Sequence, residues 1–157
     1  MSFEAGPGGV AGFKDRLEAV RAALINEDAL SSVSRAATEM ILKRTDGGVD
    51  FEGTAFEPYS SAYKKAREKK GRPLDKADLR STGQMLDDLA VEVNTAEKRS
   101  EIFFKSEESV RKALRHQVSG VGKDKVLRRF FGLSEEEKSG LTGMYSAHVE
   151  KVLKENI

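Results

Sequence analysis

Leu89-Ala90-Val91-Glu92-Val93-Asn94, then Thr95-Ala96-Glu97-Lys98, then Arg99-Ser100-Glu101-Ile102-Phe103-Phe104-Lys105, is the stretch whose reading decides the fold. Leu89, Val91 and Val93 alternate with Ala90, Glu92 and Asn94, the two-residue period of a strand with one buried face. A second strand is expected from about Arg99 to Lys105. The short connection makes the two an antiparallel hairpin, although it carries no Asn-Gly or Asp-Gly turn signature.

Outward from this hairpin the periodicity is helical. On its N-terminal side Thr82 can cap a short helix through Leu89. Before that, Ser61 to Lys70 reads as a basic helix ended by Gly71-Arg72-Pro73, because proline lacks an amide donor and restricts the residue before it. Val49 to Tyr63 has neither period and reads as a loop anchored by Phe51, Phe56 and Tyr59. Phe13, Leu17, Val20 and Leu24, then Leu30, Val33, Ala37, Met40 and Ile41, give a long helical arm, interrupted at Asn26-Glu27-Asp28, where Asp28 can cap the continuation, and ending near Asp46-Gly47-Gly48. Glycines and a proline in Ala5 to Gly9 make Met1 to Gly12 a flexible leader.

On the C-terminal side Glu107 to Val118 has acidic residues first and basic ones last, as the helix dipole favours, and Gly120 and Gly122 stop it. Val126 to Phe131 is a short strand or extended segment. Ser134-Glu135-Glu136-Glu137 is a capping-box start to a final helix whose stripe, Tyr145, Val149, Val152 and Leu153, is expected to pack on the sheet or on a neighbouring molecule. The expected fold is α+β, a small antiparallel sheet packed with a long N-terminal helix and a C-terminal helix, in a single domain over residues 13–157.

Composition narrows the function. The chain of 157 residues suits one core, and its 34% of charged residues suits either a surface partly completed by other subunits or, equally well, extended loops. There is no cysteine, so neither a disulfide framework nor thiolate chemistry is expected. No apolar run approaches membrane-spanning length, and the first residues lack a signal-peptide layout, so synthesis in the cytoplasm without membrane contact is expected. The two histidines, His116 and His148, have no partners at metal-ligand spacing. Without a Gly-x-Ser-x-Gly elbow, phosphate loop or paired catalytic carboxylates, the expectation is a protein with no catalytic, cofactor or metal site. Net charge is +1, yet Lys64 to Arg80 holds eight Lys/Arg against three Asp/Glu, and Glu107 to Arg129 is also basic. Such clusters attract phosphate, but their more ordinary use is as a solvated face or an intersubunit salt-bridge surface.

Three stretches carry a family likeness. Asp46 to Ser60 has a glycine-containing loop, then Phe56, Pro58, Tyr59 and Ser60 ahead of Tyr63-Lys64-Lys65. Asp78-Leu79-Arg80-Ser81-Thr82-Gly83-Gln84-Met85-Leu86 follows, and then Ala113-Leu114-Arg115-His116-Gln117 with Arg128-Arg129-Phe130-Phe131-Gly132-Leu133-Ser134. In order and spacing these resemble the phage virion-morphogenesis and tail-completion (neck) proteins, Mu-type and related, over about Asp46 to Glu137. Phe56 stands where many of those proteins have tryptophan, Val118-Ser119 where an aromatic precedes the glycine, and Leu127 at a frequent proline position.

The resemblance implies a structural virion protein, assembled in the host cytoplasm, that forms a homo-oligomeric ring at the head–tail junction or tail end. Its partners would be the head connector and tail-tube proteins, with DNA in transit a further contact. A tail-terminator ring subunit is the nearest alternative, and a DNA-binding module using residues 64–80 the alternative from another class. Gly53, Phe56, Pro58, Tyr59, Thr82, Gly83, Met85, Leu86, His116, Gln117 and Gly132 are then motif residues with structural roles. In that reading Thr82-Gly83 serves as a cap and close-packing point, and His116 and Gln117 hydrogen-bond within the fold. Lys64, Lys65, Lys69, Lys70, Arg72, Arg128, Arg129, Phe130 and Phe131 are the expected contacts with other subunits. If residues 126–131 form a strand, Phe130 and Phe131 face opposite ways, one into the core and one towards a partner.

Overall fold

In the computed structural model, which describes residues 9–156, the long N-terminal arm is two helices, α1 (Gly9–Leu24) and α2 (Glu27–Asp46). The break falls where the sequence suggests, but the cap is Asn26 rather than Asp28: its side-chain oxygen accepts from the Ala29 amide at 2.8 Å. Helix α1 already runs from Gly9, four residues inside the expected leader. Met1 to Gly8 of that leader and the Phe13 side chain lie outside the described residues.

The hairpin forms as read. Strand β1 (Leu89–Asn94) pairs antiparallel with β2 (Arg99–Phe104), placing Leu89 opposite Phe104, Val91 opposite Ile102 and Val93 opposite Ser100. That face packs on α2. Small hydroxyl residues let the helix come close: Ser34 and Ser100 touch through their Oγ atoms. Ser34, Thr38 and Thr45 return their hydroxyls to the carbonyls four residues earlier, at 2.8, 2.9 and 2.7 Å, which leaves them satisfied on a dry surface. The buried face of α2 is therefore Ala29, Ser34, Ala37, Ile41 and Thr45, and the expected Leu30, Val33 and Met40 are only partly buried.

Between α2 and β1 the chain forms α3 (Ser61–Glu68), capped by Ser60, and α4 (Gln84–Asp87). Helix α4 is shorter than expected because Leu89 belongs to β1. After β2 come α5 (Glu107–Leu114), capped by Ser106, and a π-helical turn, Arg115–Ser119. Residues 126–131 are extended but carry only the isolated bridge Val121–Val126. Side chains still alternate there: Arg128 and Phe130 are buried while Leu127 and Arg129 are exposed.

Helix α6 (Glu135–Asn156) opens with the expected capping box: the Ser134 amide donates to Glu137 at 2.8 Å, and the Glu137 amide to the Ser134 hydroxyl at 3.1 Å. It packs chiefly on α1 and α2. Tyr145 and His148 donate to the carbonyls of Leu24 and Ala23, both at 3.0 Å, and so satisfy acceptors that the end of α1 leaves open. The core beneath the loops gathers Ile41, Phe56, Ala77, Leu79, Met85, Leu86, Ala113 and Phe130. These elements make an α+β fold. Among the described residues no helix is long and apolar enough to cross a membrane.

Candidate functional site

The irregular half of the chain is held by four arginines, of which Arg67 and Arg128 are buried. Arg67, on α3, is 1% exposed. Its Nε donates to the Pro73 carbonyl at 2.9 Å, Nη1 to the Arg80 carbonyl at 3.1 Å, and Nη2 to both carboxylate oxygens of Asp78 at 3.1 Å. Asp78 Oδ1 also accepts from the Arg80 amide and from the Tyr59 hydroxyl, at 3.0 and 3.1 Å. That hydroxyl in turn accepts from the Leu79 amide at 3.1 Å. The network holds Leu79 in the left-handed region, a conformation uncommon for a non-glycine residue. Arg67 and Arg128 each hold a guanidinium over the Tyr59 ring, 4.7 and 5.2 Å from its centroid. Burial, and then the Asp78 carboxylate, push the Tyr59 hydroxyl up to about 12, so it stays protonated.

Arg128 reaches across the chain to the motif loop, donating from Nε and Nη2 to the Glu57 carbonyl at 3.0 and 2.7 Å and to the Pro58 carbonyl at 3.2 Å. Arg44 ties α2 to the segment after it, donating to the Phe130 and Gly132 carbonyls at 2.8 and 2.7 Å and pairing with Glu137. Arg80 bridges Asp46 and Asp87 at 2.5 and 3.0 Å, and the hydrogen bond to Asp46 holds its guanidinium above the usual arginine pKa. Arginine suits all four places because its planar fork satisfies several acceptors at once.

Two expected partner contacts are corrected by this geometry. Arg128 is 5% exposed and Phe130 0%, so both are buried within the monomer. Phe131 is half-buried, its ring 5.3 Å from that of Phe104. The Gln117 amide exchanges two hydrogen bonds with its backbone, donating to the carbonyl at 3.0 Å and accepting from the amide at 3.2 Å. The side chain thus replaces a strand neighbour for this segment. Arg129 is exposed, 3.9 Å from Glu52.

The basic stretch is correspondingly smaller as a surface. Arg67 and Arg80 are committed within the fold. Arg72 donates to the Ser81 hydroxyl at 3.0 Å, and Lys64 is half-buried. Lys65, Lys69 and Lys70 are exposed and, among the described residues, in no ion pair.

The motif residues shape the backbone. Gly53 and Gly83 have φ of +84° and +82°, which favour glycine. Gly83, rather than Thr82, is the residue at the start of α4; the Thr82 hydroxyl accepts from the Gln84 amide at 3.4 Å. Phe56, Met85 and Leu86 are buried. A Cβ on Gly132 would lie 2.8 Å from the Phe51 ring, so glycine permits that contact. His116 departs from expectation: its carbonyl accepts from the Arg128 amide at 2.8 Å, but its buried Nδ1 has no partner among the described residues. Burial, and then the Arg128 charge, push its imidazole down to about 4, leaving it neutral near pH 7.

His116, Tyr59 and Arg128 border an open cleft of about 680 Å³ between the motif loop and residues 121–126. On another surface Val110, Leu114 and Val118, four residues apart along α5 and the π-helical turn, are 39%, 50% and 67% exposed. Their spacing is in the sequence, but only packing shows that the adjoining face, with Ser109 and Ala113, is the buried one. Among the described residues no group of three or more His, Asp or Glu side chains is arranged to hold a metal ion. No protein-family model, curated protein or solved structure matches the chain.

Proposed function

We propose that this chain is a structural subunit of a tailed-phage particle, a tail-completion or neck protein that forms a ring at the head–tail junction and performs no catalysis. The observation that carries the reading is the use of the motif residues. Gly53, Gly83 and Gly132 permit particular turns and contacts, Phe56, Leu86 and Phe130 fill the core, and Gln117 and Arg128 bind backbone. Residues spread from Asp46 to Glu137 thus serve to hold an irregular surface rigid, as a ring-forming subunit requires. The Tyr59 hydroxyl, protonated and committed to Asp78 and Leu79, is not poised as a nucleophile.

The exposed Val110, Leu114 and Val118 stripe supports association, since apolar residues aligned on one helix face favour a partner. A stable interface needs about 800 Å² from each partner, so neighbouring surface must join it. A stoichiometric ring seen by electron microscopy at the neck of whole particles is the expected result. A ring at the far end of the tail tube would favour the terminator alternative, and absence from particles would reject the virion reading.

The exposed Lys65, Lys69 and Lys70 favour a second reading, contact with DNA. It predicts binding of the isolated protein to duplex DNA with a log affinity that falls steeply with log salt. Binding that ignores salt, or none at all, rejects it.

A further inference from the structure

Arg128 presents a charge that the fold does not neutralise by direct pairing. It is 5% exposed, yet among the described residues no carboxylate lies within ion-pair distance of it. Its Nε and Nη2 are used by the Glu57 and Pro58 carbonyls. Among the described residues Nη1 has no acceptor, and Arg128 lines the cleft beside Tyr59. Buried cations are ordinarily paired, because removing one from water without a counter-charge is unfavourable. That cost shows as a lowered Arg128 pKa, caused chiefly by burial.

The cleft itself is shaped for a small organic group. Its volume of about 680 Å³ lies in the range that encloses such ligands. Pro58, Tyr59, Tyr63, Leu79, Val121 and Val126 give it apolar walls, and His116, whose buried Nδ1 has no partner among the described residues, borders the same space. Lys123 and Arg128 are offset by Glu57 and Asp124 around the lining. A dianion would therefore meet two carboxylates with no surplus of cations, whereas one negative charge is enough to answer Arg128. We propose that this cleft binds a monocarboxylate with an apolar or aromatic body, the carboxylate accepting from Arg128 Nη1 and the body lying against Tyr59 and Tyr63. The site is independent of the virion reading and would exist in a free monomer.

Because Arg128 also anchors Glu57 and Pro58, the test uses the unaltered chain. N-acetylphenylalanine, its neutral amide and phenyl phosphate are titrated separately into ¹⁵N-labelled protein, following the Arg128 side-chain Nε–H and the Val121 and Val126 amides. The expected result is saturable shifts at those groups with the carboxylate, a Kd of about 1 mM or tighter, and binding of the amide about tenfold weaker. Phenyl phosphate should bind more weakly than the carboxylate. Absence of saturable shifts, shifts confined to another surface, equal binding of the amide, or tighter binding of the phosphate overturns the proposal.

Discussion

Replacing Arg67 by alanine is expected to be among the most damaging single changes at a charged position. The guanidinium makes four hydrogen bonds, two to the Pro73 and Arg80 carbonyls and two to Asp78. Its removal leaves Asp78, whose side chain is 12% exposed, with neutral donors only. Breaking a buried pair from one side costs about 3–5 kcal/mol, against a whole-domain stability of about 5–15 kcal/mol. With a urea dependence of about 2 kcal/mol per molar, the unfolding midpoint should fall by about 2 M. Arg67→Lys keeps the charge but offers its donors from one point, so it should recover only part of the loss. Arg67→Met combined with Asp78→Leu removes both charges and should be more stable than Arg67→Met alone, though still below the unaltered chain, because Pro73, Arg80 and Tyr59 lose partners. Urea unfolding of these variants, with Asp78→Leu alone to close the cycle, measures the coupling. A loss below about 1 kcal/mol for Arg67→Ala, the range of an exposed pair, would refute the assignment of Arg67 as the centre of this network.

Phe130→Ala empties a fully buried site and should cost about 3–5 kcal/mol, whereas Phe131→Ala, at a half-buried ring whose backbone stays bonded to Gln117, should cost about 1–2 kcal/mol; thermal unfolding of the two compares them. Gly120→Ala should prevent stable folding, seen as lost cooperativity in circular dichroism, since a Cβ there would lie 2.3 Å from the Lys125 carbonyl oxygen at a φ of +79°. Charge reversal at Lys65, Lys69 and Lys70 together should change stability by no more than about 0.5 kcal/mol per site while impairing particle assembly, measured as particle yield with a well-expressed variant. His116 titrates at about 4 when folded against 6.5 as its ordinary value, so the unfolded chain binds the extra proton in that window. Its contribution is thus complete above about pH 6.5 and is lost as pH falls towards 4, on the order of 2 kcal/mol after allowing for partial solvent access, and His116→Gln should flatten that part of the stability profile.

The elements legible in the sequence were those whose signal is local. Alternation at Leu89, Val91 and Val93, the Ser134–Glu137 box and the break at Asn26-Glu27-Asp28 each act within a turn or a strand, and the structure carries them at those places. The direction in which α6 packs was not local. Its stripe states that a partner surface exists, and the Tyr145 and His148 bonds to the end of α1 decide which. Likewise the spacing of Val110, Leu114 and Val118 is a sequence property, but their exposure depends on what the other face of α5 meets.

The arginines mark the clearest division. Arg67 sits among Lys64, Lys65, Lys69 and Lys70, and nothing in a run of like charges distinguishes the one that turns inward. That choice depends on Asp78 and the Pro73 and Arg80 carbonyls arriving from later in the chain. Arg128 and Phe130 lie on one side of an extended segment with no neighbouring strand, so alternation could pair them but not say that their side is the inner one. The chain by itself determines which residues share a face. Only the assembled fold decides which face meets water, because burial is set by surfaces contributed from distant parts of the sequence.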